Sequence, residues 1–191
     1  MTEQPQVDLS RFCNDSFDRG ACAFKEALWI LTRKVFFEAL PGRWYRLRRS
    51  LLRLFGATVG RGVVIKPGVV ITHPWRLTIG DHTWIGEDCY LLTLAQVTLE
   101  PNVVISQQSM LCTGNHDCTV TTFDLRVAPI TVESGAWLTA RCIVGPGVTV
   151  GSHALLTMGS VTTKNLAPYG IFRGNPAKRA GTRTVTEMGN P

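Results

Sequence analysis

The residues best suited to chemistry lie between Cys112 and Cys118, a stretch that reads Cys-Thr-Gly-Asn-His-Asp-Cys. His116 is the single histidine in it. A neutral imidazole accepts a proton near neutral pH, so it can deprotonate a hydroxyl or an amine while that group attacks an acyl carbon. The stretch therefore predicts general-base catalysis at His116.

A metal site is the competing interpretation of the same stretch, because two cysteines flank His116. Their spacing fits no strong zinc pattern. A zinc lyase of the carbonic anhydrase type would need several converging histidines, yet the residue five after His116 is Thr121. His82 and His153 fall at the fourth position of the repeat described next, where we expect corner residues. We predict no metal.

Aliphatic residues spaced by six, often followed by a small residue, indicate the structural elements that position His116. Neither a helix nor a simple strand makes every sixth residue special, whereas a chain coiling around a triangular prism does. The rhythm slips by two residues at Leu77 to Ile79 and at Val97 to Leu99. The set comprises Val59, Ile65, Ile71, Leu77, Ile79, Ile85, Leu91, Val97, Leu99, Ile105, Leu111, Val132, Leu138, Val144, Val150 and Leu156.

This spacing predicts a parallel β-helix of hexapeptide repeats. Each face contributes one inward aliphatic side chain, and coils stacked about 4.8 Å apart pair their backbones. The small residue that follows sits where the chain bends and a larger side chain would collide. A β-sandwich of short strands would not produce a fixed spacing of six.

The rhythm stops between Leu111 and Val132, which places His116 in an excursion loop covering residues 112–131. A loop leaving a rigid scaffold can carry a reactive side chain over a neighbouring surface. We expect three parts: an N-terminal helical extension over residues 1–55, a β-helix with the excursion over 56–165, and a C-terminal tail over 166–191.

The N-terminal extension predicts two amphipathic helices separated by Pro41-Gly42, and residues 19–53 carry nine Lys/Arg against Glu26 and Glu38. We favour an interpretation in which the helices cap the open end of the β-helix. Peripheral membrane contact through residues 24–55 is the alternative. One apolar stripe comprises Phe24, Ala27, Leu28, Leu31 and Val35; the other comprises Trp44, Leu47, Leu51 and Leu54, with Arg46, Arg49 and Arg53 opposite.

Charge and cysteine content narrow the function classes. The net charge of +6 comes from two basic ends around a nearly neutral centre, which indicates localised anionic ligands and not nucleic acid.

Six cysteines form no compact framework, and we expect reduced thiols. No secretory signal is visible. We expect a cytoplasmic protein, at the inner face of the membrane if the helices contact lipid.

Several motifs resemble a known family. The Gly-Asn-His-Asp of the excursion, Gly-Ala-Trp at 135–137 and Tyr-Gly-Ile-Phe-Arg-Gly-Asn-Pro-Ala-Lys at 169–178 are similar to the left-handed β-helix acetyltransferases. The likeness is greatest to the colanic acid biosynthesis acetyltransferases, through Leu-Leu-Arg-Leu-Phe-Gly at 51–56, Ile-Lys-Pro-Gly at 65–68 and Pro-Trp-Arg-Leu at 74–77. It covers roughly residues 24–180.

The resemblance implies a homotrimer with active sites between subunits, acetyl-CoA as co-substrate, and a sugar or glycan hydroxyl presented to His116. Asn115 or Asp117 is then expected to orient the imidazole or the acceptor. The tail over 166–191 is expected to associate with CoA. The residues implied to contact acetyl-CoA are Trp137, Thr139, Thr157, Gly159, Lys164, Arg173, Lys178 and Arg179.

The acceptor stays open at this stage. Around Tyr90-Leu91-Leu92-Thr93 the polar Asn or Asp common in relatives is missing, and Thr139 replaces a usual glycine. N-acetylation of an amino sugar and O-acetylation of serine are therefore alternatives to sugar O-acetylation. The alternative in which the protein is not an enzyme is a noncatalytic trimeric scaffold, for which His116 would be dispensable.

Overall fold

The protein folds into a left-handed parallel β-helix preceded by helices, as predicted. The structure, a computed structural model, describes residues 5–15 and 17–187. Three parallel sheets, faces A, B and C, form the sides of the prism. Face A contains β1 (Thr58–Val59), β4 (Leu77–Ile79), β7 (Val97–Leu99), β12 (Ile130–Val132) and β15 (Thr149–Val150).

Faces B and C complete each coil in the order A, B, C. Face C contains β3 (Val70–Ile71), β6 (Tyr90–Leu92), β9 (Met110–Cys112), β14 (Ile143–Val144) and β17 (Val161–Thr162). Face B contains β2 (Val64–Ile65), β5 (Trp84–Ile85), β8 (Val104–Ile105), β13 (Trp137–Leu138), β16 (Leu155–Leu156), β18 (Gly170–Arg173) and an antiparallel edge strand, β19 (Lys178–Thr182).

The core consists of inward columns that run along the prism. Every aliphatic residue of the predicted set is buried, and none is more than 7% exposed. A second buried column lies two residues before the first and includes Cys89 and Cys142. Burial raises the pKa of the Cys89 thiol to about 11 and raises the pKa of Cys142. All six cysteines are free.

The corners explain the small residues of the repeat. A Cβ atom on Gly80 would lie 2.4 Å from the backbone nitrogen of Pro101 on the next coil, so a larger residue would force the coils apart. His82 and His153 occupy corners, as predicted, with left-handed φ values of 58° and 55°.

The two-residue shifts in the six-residue spacing lengthen strands β4 and β7 of face A. Leu77 and Ile79 lie on the same strand, β4, and both point inward. Their Cα partners on β7 are Val97 and Leu99, so the extra residues widen the corner between faces C and A without breaking the register. Ile130 pairs with Val97 and continues this added column.

The N-terminal helices pack on the first coil, but with faces other than the predicted ones. Helix α1 (Ala23–Arg33) continues into a π-helical segment (Lys34–Ala39), and helix α2 (Tyr45–Leu54) follows. The buried side chains of these elements are Trp29, Thr32, Phe37, Arg48 and Leu52. The predicted contact stripes are largely exposed: Phe24, Ala27, Leu28, Leu31 and Val35 of the first, and Trp44 and Leu54 of the second, while Leu47 and Leu51 are half-buried.

The reason is that the first coil presents backbone carbonyls with no preceding coil to pair with. Each coil donates its strand N–H groups to the next coil, as Val64 N does to Thr83 O, so the outer carbonyls of the first coil need side-chain donors. Arg53 donates to Val59 O, Arg49 to Val63 O, Arg48 to Ile65 O and Trp29 Nε1 to Ile71 O, at 2.7–3.1 Å.

Arg48 holds the cap together. Its guanidinium also donates to Phe36 O, Leu40 O and Gly42 O at 2.6–3.2 Å, and its side chain is fully buried. It therefore joins the end of the π-helical segment to the first coil. Arg49 and Arg53, which the sequence assigned to the solvent side, face the β-helix for the same reason.

The β-helix runs past the expected boundary at residue 165. Leu166 forms a parallel bridge with Val150, and β18 pairs with β16, so the start of the C-terminal segment forms part of a further coil. Leu166 and Phe172 are buried. Among the described residues, no helix is both long enough and apolar enough to span a bilayer.

Candidate active site

The excursion is a β-hairpin that projects from the corner between faces C and A. The chain leaves the β-helix after Cys112, forms β10 (Gly114–His116) and β11 (Leu125–Val127), and re-enters at Ile130. A Cβ atom on Gly114 would lie 2.6 Å from Leu94 Cδ1, so glycine lets the hairpin pack against the corner. His116 ends the first strand, opposite Leu125.

The imidazole of His116 is fixed by a backbone carbonyl and two aromatic rings. Nδ1 lies 2.8 Å from Phe123 O. Because a carbonyl oxygen only accepts, Nδ1 carries the proton in the neutral imidazole, and the lone pair is then on Nε2. The Phe123 ring stacks on the imidazole at 4.5 Å and 8°, and the Phe12 ring lies 5.6 Å away at 58°. This arrangement presents Nε2 as a proton acceptor.

Phe123 contacts the candidate catalytic histidine, and the sequence did not reveal this contact. Its backbone is in the left-handed region, with φ of 53°, which costs on the order of 1 kcal/mol or more for a bulky residue. Such strain is found where the surrounding structure requires it, often at active sites. Here one residue supplies both the carbonyl and the stacking ring that fix His116, and no sequence motif marks it.

Asn115 and Asp117 do not touch the imidazole in this arrangement. Asn115 Oδ1 accepts from the backbone N–H of His116 at 2.8 Å. Asp117 Oδ1 accepts from the Thr119 N–H and hydroxyl at 2.9 and 2.6 Å, and Asp117 pairs with Arg126. These hydrogen bonds, the Thr119 hydroxyl first, lower the pKa of the Asp117 carboxyl. Both side chains shape the hairpin, and the expectation that one of them orients the imidazole or the acceptor stays a prediction.

The side chain of Asn115 borders a separate cavity. Alternation along β10 places Asn115 on the opposite hairpin face from His116. This cavity of about 500 Å³ is lined by Asn115, Arg126, Val127, Ala128, Pro146 and Thr163. A contact of Asn115 with the acceptor stays a prediction.

A second region, at the corner between faces B and C, contains several residues implied to contact acetyl-CoA. Trp137 Nε1 donates to Ser106 Oγ at 2.9 Å, and Thr139 Oγ1 donates to Leu156 O at 2.9 Å. Gly159 lies at the same corner with open space beside its Cα. A groove of about 460 Å³ is lined by Ser106, Gln107, Trp137, Thr139, Ala140, Leu155, Thr157 and Met158.

The cations implied to bind CoA divide between two corners. Arg173 follows Phe172 on β18 and pairs with Lys178 on β19, beside Thr157 at the end of the groove. Arg179 donates to Thr182 Oγ1 at 3.2 Å. Lys164 is exposed at the corner between faces C and A. Within the described ranges, no cluster of three His, Cys, Asp or Glu side chains could hold a metal.

One chain does not bring the two regions together. The hairpin with His116 leaves from the end of face C, whereas the groove with Trp137 lies at the end of face B. The width of face C separates them. Topology therefore places the two halves of the predicted site on different edges of the same prism.

Comparison with known proteins gives concordant matches. A family profile described as the hexapeptide repeat of succinyl-transferase matches residues 129–164. The chain is 42% identical over 180 residues to the Escherichia coli K12 protein named as the colanic acid biosynthesis acetyltransferase WcaF, covering 94% of this chain and 99% of that protein. It is 25% identical to the galactoside O-acetyltransferase of the same organism, over 69% of this chain and 66% of the relative.

Solved structures share the fold. A hexapeptide-repeat acetyltransferase of Vibrio cholerae O1 biovar eltor, in complex with acetyl coenzyme A, superposes with a TM-score of 0.75 at 22% identity. The match covers 92% of this chain and 97% of that one.

Proposed function

Because the chain belongs to the hexapeptide-repeat acetyltransferases, we propose that it transfers the acetyl group of acetyl-CoA to a sugar hydroxyl, with His116 as general base. The acceptor is an exopolysaccharide precursor or a lipid-linked glycan. The observation that carries this proposal is the hydrogen bond from His116 Nδ1 to Phe123 O, which leaves Nε2 as a proton acceptor.

The chemistry needs no covalent enzyme intermediate. His116 Nε2 takes the proton of the acceptor hydroxyl as its oxygen attacks the thioester carbon. The tetrahedral intermediate collapses, the carbon–sulfur bond breaks, and the imidazolium returns the proton to the CoA sulfur. A backbone N–H in the cleft stabilises the oxyanion. The stacked ring of Phe123 and the tilted ring of Phe12 keep the imidazole in one orientation throughout.

We further propose a homotrimer in which the site is completed between two copies of the chain, and the outward side chains of the three faces support this proposal. The outward side chains of face A are threonines, Thr58, Thr78, Thr98, Thr131 and Thr149. The outward side chains of face B are apolar, among them Trp84, Trp137 and Leu155. Those of face C are Val70, Tyr90, Met110, Ile143 and Val161.

Apolar faces drive association, whereas the threonine face suits solvent. Closed rotational symmetry lets face B of one copy meet face C of the next without leaving an unpaired apolar face. In the proposed trimer, the Trp137 groove of one subunit lies beside the His116 hairpin of its neighbour, which completes the site. Acetyl-CoA then lies along the groove, with Arg173 and Lys178 close to the CoA phosphates.

A sugar hydroxyl is favoured by the names of the relatives, one linked to colanic acid biosynthesis and one acting on galactosides. The test is to incubate the purified chain with acetyl-CoA and a panel of sugars, amino sugars and serine, and to follow the acetyl group by mass spectrometry. We expect an acetylated sugar whose acetyl group is released by hydroxylamine, as esters are. Acetylation confined to amines or to serine would contradict the proposed acceptor.

A further inference from the structure

The outer face of helix α1 is an apolar surface that the β-helix does not use. Phe24 is 77% exposed and Leu31 is 61% exposed, and Leu28 and Val35 on the same stripe are also exposed. The helix cannot rotate to bury them, because the opposite side is held by the hydrogen bond from Trp29 Nε1 to Ile71 O and by Trp29 packing against Phe37 and Phe55. One face caps the coil and the other is left facing outward.

Charge around this stripe is positive. Both acids of the helical segment are ion-paired, Glu26 with Arg19 at 3.0 Å and Glu38 with Arg33 at 3.1 Å. Lys34, three residues after Leu31, is exposed beside the stripe.

The loop and helix that follow add to the positive charge. Arg43 and Arg46 are exposed, and Trp44 between them is 53% exposed. Among the described residues, no carboxylate lies within 4.0 Å of Lys34, Arg43 or Arg46. The segment thus combines exposed large apolar groups, an exposed tryptophan and cations without acidic partners.

We propose that helix α1 lies on an anionic membrane surface. Phe24, Leu28 and Leu31 enter the boundary between headgroups and acyl chains, and Lys34 contacts lipid phosphate. An amphipathic helix with apolar and cationic groups binds in this way, and tryptophan prefers the same boundary. The positive charge selects anionic lipid over a neutral protein surface. In the proposed trimer, the contact between subunits is assigned to the apolar faces B and C and not to this helix.

The test uses the full chain with extruded vesicles of phosphatidylcholine alone or mixed with phosphatidylglycerol. We expect flotation with the anionic vesicles at low salt, weaker flotation at high salt and little with phosphatidylcholine. Leu31→Glu places a carboxylate in the stripe and should lower vesicle binding by about tenfold or more. Lys34→Glu should lower it by about fivefold or more.

Val185→Glu is the matched control, because Val185 is an exposed apolar residue outside the helical segment. This variant should bind vesicles like the natural chain. Light scattering of Leu31→Glu should show an unchanged oligomeric mass. The proposal is overturned if the intact chain does not bind anionic vesicles, if Leu31→Glu binds them normally, or if Leu31→Glu instead dissociates the oligomer. These readouts do not depend on acetyl transfer.

Discussion

At the scale of single residues, the orientation of His116 depends on two partners that lie outside its own strand. Phe12 approaches from the N-terminal segment, where Asp8 N donates to Thr121 O at 2.9 Å and attaches that segment to the excursion. Phe123 approaches from the far side of the hairpin. The identity of His116 was predictable, since it interrupts a regular repeat. Its two aromatic partners were not, because no spacing rule relates residues that only the folded hairpin brings together.

Lys178 provides a residue-scale prediction about acetyl-CoA. Replacing Lys178 by Ala should raise KM for acetyl-CoA severalfold and flatten its dependence on salt, because a screened phosphate contact is lost. The value of kcat should change little. Steady-state kinetics at several salt concentrations measure both effects.

Arg61→Ala is the control for Lys178, since the Arg61 side chain is 89% exposed near the first coil, at the other end of the β-helix. It should leave the acetyl-CoA kinetics unaltered. If Lys178→Ala behaves like this control, the C-terminal cations have another role.

At the scale of elements, the helices were predictable but their buried faces were not. A helical wheel assigns the apolar stripe to the interior. The first coil instead requires hydrogen-bond donors for its free carbonyls, and arginines and a tryptophan supply them. The β-strands were predictable because every coil repeats the same inward position. The hairpin strands β10 and β11 were not, since three residues each are too few to show an alternation.

Arg48 provides the element-scale prediction. Arg48→Ala leaves one buried and three partly buried carbonyls without a donor, at about 1–3 kcal/mol for the buried one and less for the others. The melting temperature should therefore be roughly 6 °C or more below that of the natural chain. Thermal denaturation followed by circular dichroism measures this. Arg46→Ala on the same helix is the control, because Arg46 is exposed, and it should melt like the natural chain. Equal melting of both variants would show that the arginine cap contributes little.

At the scale of the whole molecule, the repeat of six was sufficient to predict the prism, because backbone pairing between coils requires it. The contrast between the threonine face and the two apolar faces lies in the outward positions, which alternate with the core column. The outward positions can be identified in the sequence only after the inward positions have been assigned. They support the proposal that the complete site lies between subunits, since the hairpin and the Trp137 groove occupy different corners of one chain.

Ile143 provides the prediction at this scale. Ile143→Arg introduces a charge on face C and should convert the trimer to smaller species, with loss of acetyl transfer. Thr98→Arg makes the same change on face A and should preserve both the trimer and the activity. Light scattering coupled to size-exclusion chromatography gives the masses. A trimer that survives Ile143→Arg but not Thr98→Arg would reverse the assignment of the faces.

Turnover of His116→Ala tests the central claim most directly, because every other part of the site serves to position this imidazole and the two substrates around it. The rate of acetyl transfer should be measured together with acetyl-CoA affinity by calorimetry and with oligomeric mass. We predict an intact trimer with natural acetyl-CoA affinity and a kcat lower by about 10²–10⁴-fold, the usual contribution of a general base. A folded variant with near-natural kcat would contradict the assignment of His116.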